Sequence, residues 1–357
     1  MKTVKGKIIA GSAVKKFDFF IQWHLTERCN LRCRHCYQQG TDAEEMTPDR
    51  VKEEVDGATG MFRAWEENYG IQVTPSIHFT GGEPLLYPGM WDVAAYCRDK
   101  GYQVALLTNG CLITEEDSVK ASSLGVSDIQ ISLEGPRQLH DDIRGKGSFA
   151  SARRGLEKLL KRENRVSANV TLSRLNSDYI EKTVETARNT GFHRIGFSRV
   201  VPCGRGKAFL RYLLRPDELK EAYSRIQSLN SPAFPVSSLD PLAGTLHCDP
   251  AGSADALTLA GCSAGFSGVT VTSDGSVMPC RRIGLVAGNL KSNSLRFIWA
   301  TSEILWRLRT RESYKGKCNR CGYWSSCRGC RAIAYHYSLA DNGEGDLFAD
   351  DPQCWHE

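Results

Sequence analysis

The chain has 357 residues, 41% hydrophobic and 24% charged, with a net charge of +5. That length supports a sizeable core and two domains, and the mild charge, with no Lys/Arg run of five or six, carries no nucleic-acid signature. The N-terminal apolar patch IIAGSAV is too short for a signal-peptide core or a membrane span, so no membrane role and a cytoplasmic location are expected.

From about residue 18 short apolar runs alternate with longer helical patterns. FFIQWHLT (19–26) reads as a strand, and PDRVKEEVDGATGMFRAWEEN (48–68) as a helix with Thr47 as N-cap and Pro48 in its first turn. The strand SIHFTGG (76–82) ends in glycines, the helix GMWDVAAYCRDKG (89–101) stops at Gly101, and YQVALLTNG (102–110) is a strand running into a turn. A helix TEEDSVKASSLG (114–125), capped by Thr114, leads to the strand DIQISLEG (128–135). The helix FASARRGLEKLLKRE (149–163), strand RVSANVTLS (165–173), helix DYIEKTVETARNTG (178–191) and strand RIGFSRVV (194–201) follow.

Six strands alternating with helices predict a parallel α/β fold, whose active site would gather at the carboxyl ends of its strands. The unusual segments fall at those ends: a cysteine cluster after the first strand, GGEP after the second, TNG after the third and SLEG after the fourth. Residues 230–260, rich in Pro, Ser, Gly and Ala, read as a connecting segment. SGVTVTSDGSVMPC (267–280) reads as a hairpin turning at Asp274–Gly275, and LRFIWATSEILWRLRTRES (295–313) as a helix before a cysteine-dense tail.

The 14 cysteines are the anomaly. In a reducing compartment they point to metal or catalysis rather than to disulfides. Cys97 and Cys203 read as small buried hydrophobes. Cys29, Cys33 and Cys36 do not: zinc wants four ligands, and no fourth Cys or His stands at knuckle spacing. An iron–sulfur cube held by three thiolates instead leaves one iron open for another ligand.

Here the sequence resembles the radical S-adenosylmethionine enzymes, whose C-x3-C-x2-C signature is matched by Cys29, Cys33 and Cys36. The resemblance implies a [4Fe-4S] cluster whose open iron is chelated by the amino and carboxylate groups of S-adenosylmethionine. Gly81, Gly82, Glu83 and Pro84 stand where the family's glycine turn meets the cofactor's amino group, and glycine permits that close approach. ISLEGPRQLHDDIRGKGSF (131–149) looks like the family's ribose and carboxylate segment. Ser132 and Glu134 lie on one face of a strand, with Glu134 expected to accept from ribose hydroxyls or join the polar network there. Arg144 would pair with the cofactor carboxylate. Thr108 and Asn109 would line the same cavity unless they form an ordinary turn, and His35 would pack against the adenine. The implied chemistry is reductive cleavage to a 5′-deoxyadenosyl radical that takes hydrogen from a substrate. An electron donor such as flavodoxin or ferredoxin is implied as well. No residue is assigned as acid or base.

The C-terminal cysteines resemble the SPASM extension of such enzymes, a seven-cysteine module holding two auxiliary [4Fe-4S] clusters. By that resemblance Cys318, Cys321, Cys327 and Cys354 would hold the outer cluster, and Cys262, Cys280 and Cys330 the inner one, with Cys248 as candidate fourth ligand. One residue fewer than usual separates Cys327 from Cys330, which leaves their partition open. A zinc knuckle from Cys318/Cys321 and Cys327/Cys330 would have an unusually short separation and leave three cysteines idle.

The expected architecture is a partial (β/α)6 TIM-like barrel followed by a small cysteine-rich α+β domain. Its divisions are an extension at 1–17, the radical core at 18–228, a connecting segment at 229–258 and the auxiliary-cluster domain at 259–357. The resemblance favours a peptide or protein substrate, such as a ribosomal precursor peptide, which would be crosslinked, epimerised or oxidised. With Cys29 so early, leader recognition would need a separate protein or direct binding. Sulfatase-type maturation is disfavoured because Arg281 stands where those enzymes place a basic Asp. The alternatives are a tetrapyrrole or other small-molecule enzyme, such as a decarboxylase, and a non-catalytic iron–sulfur electron-transfer protein.

Overall fold

The computed structural model of the protein describes residues 15–38, 43–246 and 261–357. The strands are β1 (Lys15–Thr26), β2 (Ile71–Gly81), β3 (Gln103–Thr108), β4 (Asp128–Ser132), β5 (Val166–Leu172), β6 (Arg194–Arg199), β7 (Val236–Ser238), β8 (Gly268–Val271), β9 (Ser276–Met278) and β10 (Gly288–Asn289). They form one sheet in the order β10-β9-β8-β1-β2-β3-β4-β5-β6-β7. β1 to β7 run parallel. β8 joins the outer edge of β1 in parallel, so the last third of the chain extends the sheet of the first two thirds. β9 then returns antiparallel through the expected turn at Asp274–Gly275, and β10 pairs with β9.

The helices are α1 (Pro48–Tyr69), α2 (Met90–Asp99), α3 (Glu115–Ser123), α4 (Arg137–Arg144), α5 (Ser148–Leu160), α6 (Ile180–Thr190), α7 (Pro216–Ser228), α8 (Leu295–Thr301), α9 (Glu303–Arg309), α10 (Gly316–Arg320) and α11 (Arg331–Asn342). Their ends follow local chemistry. Thr47 Oγ1 accepts from the Arg50 amide at α1, which ends on left-handed Gly70, and Thr114 forms a capping box with Asp117 at α3.

One face of the sheet packs on these helices. Phe19, Ile21, Trp23 and Leu25 alternate inward from β1 and meet Val51, Val55, Ala58, Met61 and Phe62 of α1 in the main core. Each large apolar side chain so buried contributes about 1.5–3 kcal/mol. The opposite face curls around a cavity lined by residues of successive strands, among them Gln22, Thr80, Thr108, Gln130, Asn169, Ser198, Ser237 and Thr270. The result is a partial TIM-like barrel whose open side is continued by β8 to β10.

Three details depart from the expected elements. β1 begins at Lys15, where exposed lysines pair with the equally peripheral start of β2. β7 lies inside the connecting segment, since three residues, VSS, are too few to show alternation. The pattern at 295–313 breaks at Ser302, whose extended backbone ends α8 and opens α9.

Candidate active site

The loop after β1 carries Cys29, Cys33 and Cys36 to the carboxyl end of the barrel. Their side chains line a cavity of about 530 Å³ together with His35, Gly81, Gly82, Thr108, Asn109, Ser132 and Arg144. Burial pushes the Cys29 thiol up to about 11 and raises Cys33 as well, as expected of sulfur donors that ionise only against a cation. Amide groups already point at the sulfurs: Leu31 N donates to Cys29 Sγ and Gln38 N to Cys36 Sγ, each at 3.4 Å.

The glycine turn is bound to this loop. Gly82 N donates to Thr26 O at 2.7 Å, and Glu83 N donates to Arg28 O at 2.8 Å. A Cβ on Gly81, which has φ +141°, would lie 2.2 Å from Thr26 O; one on Gly82 would lie 2.0 Å from Arg28 O. Both glycines are therefore required by the approach of the cysteine loop's own backbone. Fully buried Glu83 caps the turn at Pro84 and accepts from Thr108 Oγ1 (2.6 Å) and Asn109 N (2.9 Å). Burial pushes its carboxyl up to about 7 against those hydrogen bonds. Asn109 Nδ2 donates to Asn30 Oδ1 at 2.8 Å and lies 3.9 Å from Cys29 Sγ.

Glu134 lies at the end of β4, fully buried beneath the cavity wall. Arg144 reaches it with Nε at 2.8 Å and Nη2 at 2.6 Å, His35 Nε2 stands 2.9 Å away, and Thr171 N donates at 3.0 Å. Burial would raise this carboxyl, but Arg144 and His35 outweigh it and hold it at about 2. Arg144 also places Nη1 3.8 Å from Cys33 Sγ. Thus β4, α4 and the cysteine loop meet in one polar group, in which His35 Nδ1 remains buried and unpartnered. Ser132 lines the cavity one turn of the pleat away.

The C-terminal cysteines divide between two places. Cys262, Cys280 and Cys330 line the same cavity as the first three, while Cys318, Cys321, Cys327 and Cys354 line a separate small one. The short CRGC segment achieves this with two consecutive left-handed residues, Arg328 (φ 65°) and Gly329 (φ 60°), which send Cys327 and Cys330 to different sides. Asp351 braces the division: its Oδ2 accepts from Cys330 N at 2.7 Å, and it faces Arg199 at 2.8 Å. Cys248 lies outside the described residues. Among those residues no three His, Cys, Asp or Glu side chains converge as they would around a single metal ion. A cube takes one thiolate per iron and spreads its sulfurs more widely.

Sequence reasoning passed over Arg199, the partner of Arg281 and the segment that straps the cysteine loop. Arg199, at the end of β6, is buried between Asp240 and Asp351. Arg281 places Nη2 2.6 Å from Glu27 Oε2, joining the β8–β9 hairpin to the start of the cysteine loop. The segment Cys203–Gly206 straps the back of that loop, with Gly206 N donating to Cys36 O at 3.0 Å. Its signal was present: PCGRG follows the sixth strand as the other functional segments follow the earlier ones. Cys203 is buried, as read, and packs in the same apolar group as Cys262, Cys280 and Cys330.

A family model described as the radical SAM superfamily matches residues 23–187, and one described as an iron–sulfur cluster-binding domain, SPASM, matches residues 262–322. The AdoMet-dependent heme synthase of Methanosarcina barkeri is 31% identical over 349 residues, covering 94% of this chain and 95% of that protein. The chain belongs to the radical SAM superfamily. Mycofactocin maturase MftC of Mycobacterium tuberculosis is 29% identical over 345 residues, 94% of this chain and 82% of its own length. Streptococcus suis SuiB shares the fold with a TM-score of 0.72 at 15% identity, over 95% of this chain and 78% of that one. As a radical SAM enzyme with a SPASM domain, the protein works with [4Fe-4S] chemistry and S-adenosylmethionine. The donor set fits: three thiols of one loop line the cavity beside the Gly81–Gly82 turn. Among the described residues no helix is long and apolar enough to cross a membrane.

Proposed function

We propose that this radical SAM enzyme decarboxylates propionate side chains of an iron tetrapyrrole. The observation that carries the reading is the lining of the cavity, which presents six arginines and a single acid, Asp240, itself paired with Arg199. Four of these arginines already face carboxylates, but Arg205 makes no ion pair among the described residues, and a guanidinium fork so placed holds a carboxylate in bidentate geometry. The likeness to AdoMet-dependent heme synthases supports the same choice over the peptide substrate favoured by the sequence.

Cys29, Cys33 and Cys36 would hold the cluster, with the Gly81–Gly82 turn, Thr108, Asn109, Ser132 and His35 around S-adenosylmethionine. When bound, these groups supply a 5′-deoxyadenosyl radical that takes a hydrogen atom. A propionate so attacked loses carbon dioxide and one electron and is left as a vinyl group. Cys262, Cys280 and Cys330, in the same cavity, would hold a one-electron acceptor of the iron–sulfur class, and Cys318, Cys321, Cys327 and Cys354 a second cluster. The carboxylate leaves as carbon dioxide, so no side chain has to remove a proton from it. Asp240, closed by Arg199, is consistent with that.

The test is anaerobic incubation of the reconstituted enzyme with a propionate-bearing iron tetrapyrrole, S-adenosylmethionine and dithionite, followed by mass measurement. Loss of carbon dioxide and two hydrogens per propionate is expected; an unchanged tetrapyrrole overturns the reading. A second reading, modification of a peptide side chain, is favoured by the likeness to mycofactocin maturase and would show as a changed peptide mass in the same assay.

A further inference from the structure

The six arginines of the cavity are not equivalent. Four already face carboxylates: Arg144 faces Glu134, Arg194 faces Asp128, Arg199 faces Asp240 and Asp351, and Arg281 faces Glu27. Arg282 is buried against the Cys280 thiol, and its charge answers that sulfur and Cys330. Arg205 differs. Among the described residues it makes no ion pair, and its guanidinium is engaged through Nε, which donates to the Cys33 carbonyl at 3.4 Å.

The mounting of Arg205 is rigid. Gly204 (φ +57°) lies so close to the cysteine loop that a Cβ would stand 2.1 Å from Tyr37 O, and a Cβ on Gly206 would stand 2.8 Å from His35 O. Between them Arg205 N donates to Gln38 O at 3.4 Å and Gly206 N to Cys36 O at 3.0 Å. A residue between two such glycines is fixed at its backbone relative to Cys33 and Cys36, and its side chain lines the cavity. The terminal nitrogens of a guanidinium held by Nε remain a fork suited to a carboxylate.

We propose that Arg205 anchors a propionate carboxylate of the substrate and so positions the tetrapyrrole against the cysteine loop. The proposal rests on the tetrapyrrole reading and assigns the residue that selects for free carboxylates. Arg144, by contrast, is neutralised by Glu134, and a carboxylate approaching it meets that existing pair.

The experiment uses the reconstituted holoenzyme and its Arg205→Gln and Arg205→Lys variants. Absorbance titration measures the affinity for an iron tetrapyrrole with free propionates and for its methyl ester; iron content and S-adenosylmethionine affinity are measured alongside. Loss of a charge-assisted, bidentate contact should weaken binding of the free acid about 10- to 100-fold in Arg205→Gln. Arg205→Lys should recover part of this loss. Ester binding, iron content and S-adenosylmethionine affinity should match the unaltered enzyme. Unchanged acid affinity, an equal loss for the ester, loss of iron, or a fall in S-adenosylmethionine affinity instead would each overturn the assignment while leaving the tetrapyrrole reading intact. An unaltered enzyme that binds no tetrapyrrole would overturn both.

Discussion

Arg144 grips Glu134 through two nitrogens, at 2.8 and 2.6 Å, although the carboxylate is fully buried and comes from the end of a different element. The short helix α4 makes this possible. It leaves β4 after Pro136 and brings Arg144 back over the strand end ten positions after Glu134. A buried carboxylate with such a partner stays ionised, and removing the partner costs far more than the pair itself contributes.

That pair gives a pH dependence. Glu134 is depressed from its ordinary 4.5 to about 2, so its contribution to stability is present above about 4.5 and is lost as pH falls toward 2. Urea denaturation of the cluster-free protein should show stability falling as pH drops below about 4.5, beneath the range in which buried Glu83 titrates. Glu134→Gln should flatten this part of the profile and lower neutral-pH stability by about 3–5 kcal/mol. An unchanged slope in the variant would show that another group carries the dependence.

Two glycine substitutions should have opposite signs. Gly82→Ala forces a methyl to within 2.0 Å of the Arg28 carbonyl oxygen, which is backbone and cannot swing aside. A loss of about 2–3 kcal/mol is expected, with loss of S-adenosylmethionine binding. Gly57 sits inside α1 with nothing within 4 Å of a built Cβ, so Gly57→Ala should raise stability by about 0.5–1 kcal/mol. Denaturant midpoints for the two variants check both signs.

The division of cysteines predicts separable clusters. Replacing Cys318, Cys321 and Cys354 by Ala should remove about four irons and leave the electron paramagnetic resonance signals of the other two clusters. Replacing Cys262, Cys280 and Cys330 should remove a different set and spare the outer signal. Because Arg328 and Gly329 turn Cys327 and Cys330 to opposite sides, single Cys327→Ala and Cys330→Ala variants should disturb different signals. Loss of the same signal in both would contradict the division.

Much of this was legible in the residues. Alternating strand and helix patterns, the caps at Thr47 and Thr114, and the hairpin at Asp274–Gly275 all rest on local chemistry, and local chemistry decided them. The grouping of Cys29, Cys33 and Cys36 with GGEP and TNG followed from their common place at strand ends. Partnerships made across the fold were not legible. Glu134 was expected to accept from ribose hydroxyls or join the polar network there and Arg144 to pair with the cofactor carboxylate, and nothing in their spacing shows that they face each other. Arg199 gains meaning only when Asp240 and Asp351, from distant segments, converge on it. Gly81 and Gly82 gain a reason that the sequence did not show, the close approach of the carbonyl backbone of Thr26 and Arg28.

The central claim is that a radical formed at Cys29, Cys33 and Cys36 acts on a propionate in the arginine-lined cavity. The most direct measurement is the joint yield of 5′-deoxyadenosine and decarboxylated tetrapyrrole from the dithionite-reduced enzyme. The variant with all three cysteines changed to Ala is run beside it. The account predicts that the two products rise together in the unaltered enzyme and that both are absent from the variant. Either 5′-deoxyadenosine from the variant, or 5′-deoxyadenosine from the unaltered enzyme with every propionate intact, would contradict it.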